Sequence, residues 1–228
     1  MTPTCRSSRR PQQALRPDGR CGPVLARAFG QRGWRWLAPC WIVCLLSFCQ
    51  REPPAGTRRR ATAYDAYRRP EQLVAALNIR PGEALAEIGA GSGYLTGRLA
   101  QAVGRTGRVV ATDIDEAALA ALKERTRGLA QVEPRRVSAT EPGLEPGRYD
   151  LILLAQVDHL LADQAAYLRA LLPALKPGGR IALSNSVRYR EPLRAALSAL
   201  ALRCEERDAQ LPGQFLCIVR PPGPSADR

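Results

Sequence analysis

Residues 87–93 read Glu-Ile-Gly-Ala-Gly-Ser-Gly, an acid followed by glycines at 89, 91 and 93. Without Cβ atoms, such a loop can turn sharply and let its backbone approach a ligand closely. Several ligand chemistries compete for it. A nucleoside-triphosphate loop requires Lys and then Ser or Thr directly after its last glycine, but Gly93 is followed by Tyr94, Leu95, Thr96 and Gly97. A dinucleotide loop requires a further glycine three positions after its second. That position is Tyr94 counted from Gly89 and Thr96 counted from Gly91. What remains is Gly-x-Gly-x-Gly with Glu87 in front of it.

The elements that must position this loop alternate regularly from about Pro70 onward. PEQLVAALNI reads as a helix with Leu73, Ala76 and Leu77 on one face, and Pro81-Gly82 as a turn. ALAEIG is a short buried strand that runs into the glycine loop. A helix over 92–103 carries Leu95, Leu99 and Val103 at four-residue spacing. RVVAT is the second strand. Asp115 caps the next helix, which runs to about Arg127 with Glu116 in its first turn. A third strand lies within 131–138, a loop over 142–147, and YDLILLA is an apolar fourth strand. A helix over 163–175, a turn at Lys176-Pro177-Gly178-Gly179, a fifth strand RIALSNS and a helix over 191–201 follow. Two closing strands, around 202–207 and 215–219, are joined at Pro212-Gly213 and pair antiparallel. Strands that are apolar on both faces and alternate with helices define an α/β fold. The expectation is a Rossmann-like, mostly parallel seven-stranded sheet with helices on both faces and an antiparallel closing strand. In such sheets ligands bind beyond the carboxyl ends of the strands, where strand order reverses.

Four landmarks in this order carry a resemblance. They are the acid-led glycine loop over 87–93, Asp113 closing the second strand in VVATD, the Tyr149–Ala155 strand, and LKPGGRIAL over 175–183. Over roughly residues 70–220 the chain resembles the class I S-adenosylmethionine-dependent methyltransferases. The resemblance implies S-adenosylmethionine as cofactor and a cofactor site made of Glu87, Gly89, Ala90, Gly91, Gly93, Asp113, Ile114, Thr140 and Gln156. Asp113 lies 24 residues after Gly89 at the tip of the second strand. A carboxylate there can accept hydrogen bonds from both ribose hydroxyls, and its competing role, helix capping, is already filled by Asp115. Glu87 would place the ammonium-bearing end of the cofactor or else brace the loop. Ala139, Thr140 and Glu141 are the alternatives for the adenine side. Gln156 would line the place where methionine and acceptor meet.

A sulfonium methyl is already activated, so aligning the partners can supply most of the barrier reduction, about 7–11 kcal/mol. No universal acid or base is required. After the fourth strand comes AQVDHL, which lacks both the motif of amino-group DNA methyltransferases and the nucleophilic Cys of cytosine-C5 enzymes. Asp158 and His159 are the candidate catalytic pair, placed to act as general base on an acceptor hydroxyl or amine. The alternative is that they only begin the next loop. A small-molecule acceptor is expected. Two other classes stay open: a tethered, non-catalytic binding protein on the same fold, and a nicotinamide-dependent oxidoreductase, which Tyr94 and the lack of a Tyr–Lys pair oppose.

The 228-residue chain has a net charge of +13, which would suit nucleic acid if it were spread over the body. Residues 1–62 hold 12 arginines against Asp18 and Glu52, whereas the remainder holds 22 basic against 19 acidic residues. The body is thus nearly balanced and shows no basic stripe interleaved with aromatics. The cysteines at 5, 21, 40, 44, 49, 204 and 217 form no Cys-x-x-Cys pair, and the single histidine leaves zinc without imidazole partners. Cys204 and Cys217 read as buried thiols. Residues 1–35 read as a disordered basic segment. Residues 36–49 form an apolar run of 14 residues, short of the ~20 needed to span a bilayer. It suits a secretory signal or anchor, with Cys49 placed like a lipoprotein cysteine although Phe48 breaks that pattern, and the alternative is a buried hydrophobic helix. Residues 50–62 read as a linker, 63–222 as the methyltransferase domain and 223–228 as a tail. The localisation expected is membrane-associated and, if the cysteine is lipidated, exported. The alternative is cytoplasmic.

Overall fold

A computed structural model describes residues 65–221. The chain divides into two units, Met1–Gln50 and Arg51–Arg228, and the described residues belong to the second. The expectations for residues 1–62 and 223–228, including the apolar run and Cys49, lie outside the described residues. Among the described residues no helix is long and apolar enough to cross a membrane.

The elements in chain order are α1 (Pro70–Ala76), β1 (Ala84–Ile88), α2 (Thr96–Val103), β2 (Arg108–Asp113), α3 (Glu116–Arg125), β3 (Val132–Arg136), β4 (Tyr149–Ala155), α4 (Gln164–Leu171), β5 (Leu175–Ser186), α5 (Arg190–Ala199), β6 (Cys204–Arg207) and β7 (Gln214–Val219). The seven strands form one sheet in the order β3-β2-β1-β4-β5-β7-β6. β1 to β5 pair in parallel. β7 runs antiparallel to both neighbours, β5 and β6. Strand order reverses between β1, which leads outward to β2 and β3, and β4, which leads the other way. The crevice of an open α/β sheet falls at such a point, and the glycine loop leaves β1 there.

Alternate residues of the central strands enter two separate cores. Leu85, Leu151, Leu153, Leu216 and Ile218 face Leu73, Leu77, Leu99 and Val103 from α1 and α2 and their flanks. Ala86, Ile152, Leu154, Ile181, Leu183 and Phe215 face Leu168, Leu171, Leu193 and Leu197 from α4 and α5. Ile152 and Leu153 are both fully buried although they point to opposite faces, as a helix-covered parallel sheet requires. Each such leucine contributes about 1.5–3 kcal/mol relative to exposure.

Three local expectations change. The helix after the glycine loop begins at Thr96 rather than Ser92, because Gly91 and Gly93 take φ of 55° and 78°, outside the helical range, and the chain turns until Leu95. The Lys176–Gly179 turn is absorbed into β5, whose pairing with β4 shifts register between Tyr149 and Leu151. Cys204 and Cys217 form a disulfide between β6 and β7, where two buried thiols were expected; adjoining antiparallel strands bring their Cα atoms to 5.4 Å. No helix links β3 to β4. Glu145, in that connection, instead bonds Arg135, Arg108 and the Tyr149 hydroxyl.

Candidate functional site

The glycine loop is fixed from two sides. Ala90 N–H donates to the Thr112 carbonyl at 2.9 Å, tying the loop to β2. Gly91 N–H donates to Asp113 Oδ2 at 2.6 Å. The other Asp113 oxygen, Oδ1, accepts from Asp115 N–H at 2.9 Å. Asp115 itself caps α3, accepting from Ala117 and Ala118 N–H. Asp113 is therefore no helix cap, but it has a structural task that the sequence did not reveal. A carboxylate offers about four acceptor sites and two are used, so each oxygen can still accept another donor.

Gly89 and Gly91 serve different ends. A Cβ on Gly89 would lie 2.6 Å from Val157 Cγ2, so the glycine permits the close approach of β1 to the segment after β4. A Cβ on Gly91 would meet nothing within 4 Å, so the space beside its Cα is empty in the fold. Ala90 is buried, and Gly93 packs against Leu122 of α3.

Glu87 lies behind the loop. It is buried and accepts a hydrogen bond from Thr96 Oγ1, the first residue of α2, at 2.6 Å. Burial pushes its carboxyl up to about 7, with the Asp113 charge adding to the shift and the Thr96 bond opposing it. Its visible contact is the bracing one.

Beside the loop opens a cavity of about 300 Å³. Of the expected cofactor residues, Gly89, Asp113, Ile114 and Gln156 line it. Ile114 is exposed and forms part of its wall. The segment after β3 contributes Val137, Ser138 and Ala139, one of the three positions left open for the adenine side. Thr140 does not line it. Its side chain is exposed, with Oγ1 3.4 Å from Ser138 Oγ. Val157, Leu161 and Tyr167 complete the apolar part. Gln156 has φ of 62° and its Nε2 donates to Gln214 Oε1 at 2.8 Å. Gln214 Nε2 in turn donates to the Tyr67 carbonyl at 2.7 Å.

The expected catalytic pair separates. Asp158 is fully buried, and its oxygens accept from Asn185 Nδ2 at 2.7 Å and Gln164 Nε2 at 3.0 Å. Burial raises its carboxyl above the usual range, against those hydrogen bonds and the neighbouring His159. An enclosed, doubly engaged carboxylate does not reach an acceptor, so Asp158 ties β4, α4 and β5 together instead of acting as base. His159 is half-buried, with Nδ1 2.9 Å from Asn185 Nδ2. Its ring stacks on Tyr189, centroids 4.2 Å apart. Sequence reasoning missed Asn185, Tyr189 and Gln214. Asn185, a large polar residue inside the apolar β5 run, carried a signal; Gln214 carried none.

The geometry can hold an elongated ligand along the carboxyl edge from the end of β3 to the end of β4. Residues 86–181 match a family described as a methyltransferase domain. The chain is 33% identical over 124 residues to a ubiquinone/menaquinone biosynthesis C-methyltransferase of Burkholderia vietnamiensis, covering 54% of this chain and 51% of that one. It thus spans about half the length of the curated relatives it matches. A SAM-dependent methyltransferase of Aquifex aeolicus superposes with a TM-score of 0.65 at 19% identity, over 74% of this chain and 98% of that one. The [4+2]-cyclase SpnF superposes with a TM-score of 0.58 at 16% identity, over 68% and 82%. Both show the fold alone, and the cyclase illustrates that this fold hosts more than one chemistry. The domain match, the sequence relatives, the strand order and the acid-braced glycine loop agree: residues 86–181 are a methyltransferase domain, set in a fold of the class I S-adenosylmethionine-dependent kind.

Proposed function

We propose that the chain binds S-adenosylmethionine in the cavity beside the glycine loop and transfers its methyl group to a small-molecule acceptor. The observation that carries this is Asp113, whose carboxylate organises the loop through Gly91 N–H and still lines the cavity with acceptor capacity to spare. The cofactor fits the residues present. Gly91 leaves the space beside its Cα empty, Asp113 takes the ribose hydroxyls, and Ile114 and Val137–Ala139 flank the adenine. When bound, the cofactor supplies an electrophilic methyl on a positively charged sulfur, whose departure as a neutral thioether drives the transfer. Gln156, tied to Gln214, forms the wall next to the acceptor.

The relatives named for ubiquinone and menaquinone biosynthesis favour an oxygen-bearing ring as acceptor. The apolar run over 36–49 supports membrane association of the mature chain, with Cys49 as the anchoring residue. Mass spectrometry of the mature protein checks this, and an intact N-terminus with unmodified Cys49 would count against it. Calorimetry with S-adenosylmethionine, S-adenosylhomocysteine and NAD tests the cofactor. Preference for the sulfur nucleosides is expected; preference for NAD, or binding of none, overturns the proposal.

A further inference from the structure

Asn185 dictates where the only histidine of the chain carries its proton. The Asn185 side chain is fully buried. Its Oδ1 accepts from Ser186 N–H at 2.8 Å, and a backbone N–H can only donate, so the amide has one orientation. Its nitrogen then faces Asp158 Oδ1 at 2.7 Å and His159 Nδ1 at 2.9 Å. An amide nitrogen has two hydrogens and accepts nothing. One hydrogen goes to the carboxylate and the other must go to His159, whose Nδ1 is therefore the bare, accepting nitrogen. The ring proton sits on Nε2. Gln164 holds the second Asp158 oxygen, so no rotation of Asp158 offers Nδ1 an alternative partner. Stacking on Tyr189 fixes the ring plane.

Nε2–H has no partner among the described residues, and the ring lies where β4 and β5 end, on the same edge as the glycine loop. Leu160, next to it on the same turn, is 72% exposed, and Val187, on the turn that carries Tyr189, is 45% exposed. A general base needs a bare nitrogen facing its substrate. Here the bare nitrogen is already occupied inside the protein, and the nitrogen without a partner among the described residues carries a hydrogen.

We propose that His159 is a fixed hydrogen-bond donor, presenting Nε2–H to an oxygen of the methyl acceptor, with Asn185 as the positioning residue that sets its tautomer. The acceptor class that fits is a phenol, hydroquinone or enol methylated at carbon. Such a molecule reacts through a carbon next to an oxygen whose negative charge a donor stabilises. A hydroxyl or amine acceptor would need its proton removed, and a donor aimed at its reacting atom would make that atom a poorer nucleophile. The acceptor part of this inference rests on the methyl-transfer reading above. The tautomer part stands on Asn185 alone.

Nitrogen NMR on the full chain with labelled histidine tests it, because a single histidine leaves only two ring signals to assign. At neutral pH Nε2 should appear protonated and Nδ1 bare, with and without S-adenosylhomocysteine. A protonated Nδ1 overturns the proposal. In Asn185→Leu both signals should move toward a tautomer average; if that variant does not fold, the wild-type spectrum still decides. With S-adenosylhomocysteine bound, a substituted hydroquinone should shift the Nε2–H signal and an alkylamine should not. A response to the amine alone, or to neither, removes the assigned acceptor class. His159→Gln retains a side-chain N–H and should bind the hydroquinone within about threefold of wild type, while His159→Leu should lose about tenfold, the worth of one hydrogen bond. Failure of S-adenosylhomocysteine to bind at all would count against the methyl-transfer reading and leave the tautomer result untouched.

Discussion

Replacing Asp113 by alanine separates the two tasks the structure gives it. One is internal: the carboxylate accepts from Gly91 N–H at 2.6 Å and from Asp115 N–H at 2.9 Å. Both donors lie on loops that water reaches, so they can rehydrate, and the loss per bond should sit near the lower part of the ~0.5–1.5 kcal/mol range for a net hydrogen bond. A fall of about 1–2 kcal/mol in unfolding free energy follows, read by urea titration. The other task is the proposed ribose contact. Hydrogen bonds to a charged group contribute about 1.5–3 kcal/mol, so affinity for S-adenosylhomocysteine should drop by about 10- to 150-fold, measured by calorimetry. Adenine and the methionine end remain bound, so some affinity should survive. Asp113→Asn sharpens the comparison. Its amide can keep one acceptor for a backbone N–H but sets N–H against N–H at the other, so stability should fall partway while ribose recognition still suffers. If Asp113→Ala loses stability yet binds S-adenosylhomocysteine as wild type does, Asp113 only braces the loop and the ribose assignment is wrong.

Gly89→Ala forces a Cβ to within 2.6 Å of Val157 Cγ2. Overpacking should cost about 1–3 kcal/mol, with a fall in Tm of about 3–10 °C. Gly91→Ala meets no neighbour, so it should lose more ligand affinity than Gly89→Ala does for a given loss of Tm; paired calorimetry and thermal melts compare them. Glu87 titrates near 7 in the fold against 4.5 for a free side chain. Its contribution to stability is therefore complete below about pH 4.5, declines as the unfolded chain ionises first, and is gone above about pH 7. Urea titrations of Glu87→Gln against wild type should show the variant gaining relative stability between those pH values, and a flat difference would refute the burial argument. Glu145 is held below the usual carboxylate range chiefly by Arg135. Its stabilisation is present above about pH 4.5 and fades as pH falls further, so Glu145→Gln should be destabilised at pH 7 and converge with wild type in acid.

The architecture was readable because its signals are redundant. YDLILLA could only be a strand buried on both faces, and Leu95, Leu99 and Val103 could only be one face of a helix. Boundaries were less readable where glycine conformation decides them, as at Ser92–Leu95, where two positive φ values delay the helix. The glycine loop and Asp113 were legible from type and spacing, and four of the expected cofactor residues line the cavity. Thr140 was misplaced because the turn after β3 buries nothing, and no periodicity says which of three consecutive residues faces inward. Asp158 read as a base because sequence shows a carboxylate beside a histidine and hides the Asn185 and Gln164 amides that reach it across 27 and 6 residues. Partners brought in by folding leave no local trace.

The chain of amides from Gln156 through Gln214 to the Tyr67 carbonyl has a thermodynamic consequence. It joins the wall of the cavity to the segment that leads back toward the N-terminus, and Tyr94 Oη bonded to Asp65 and Arg69 bonded to the Gln210 carbonyl fasten the same segment. A ligand that orders Gln156 must also favour the fastened form of residues 65–69. By reciprocity, loosening those residues would weaken such a ligand by the same coupling free energy with which the ligand tightens them. The amide chain would then give the cavity a lever outside it, at the N-terminal end of the described residues.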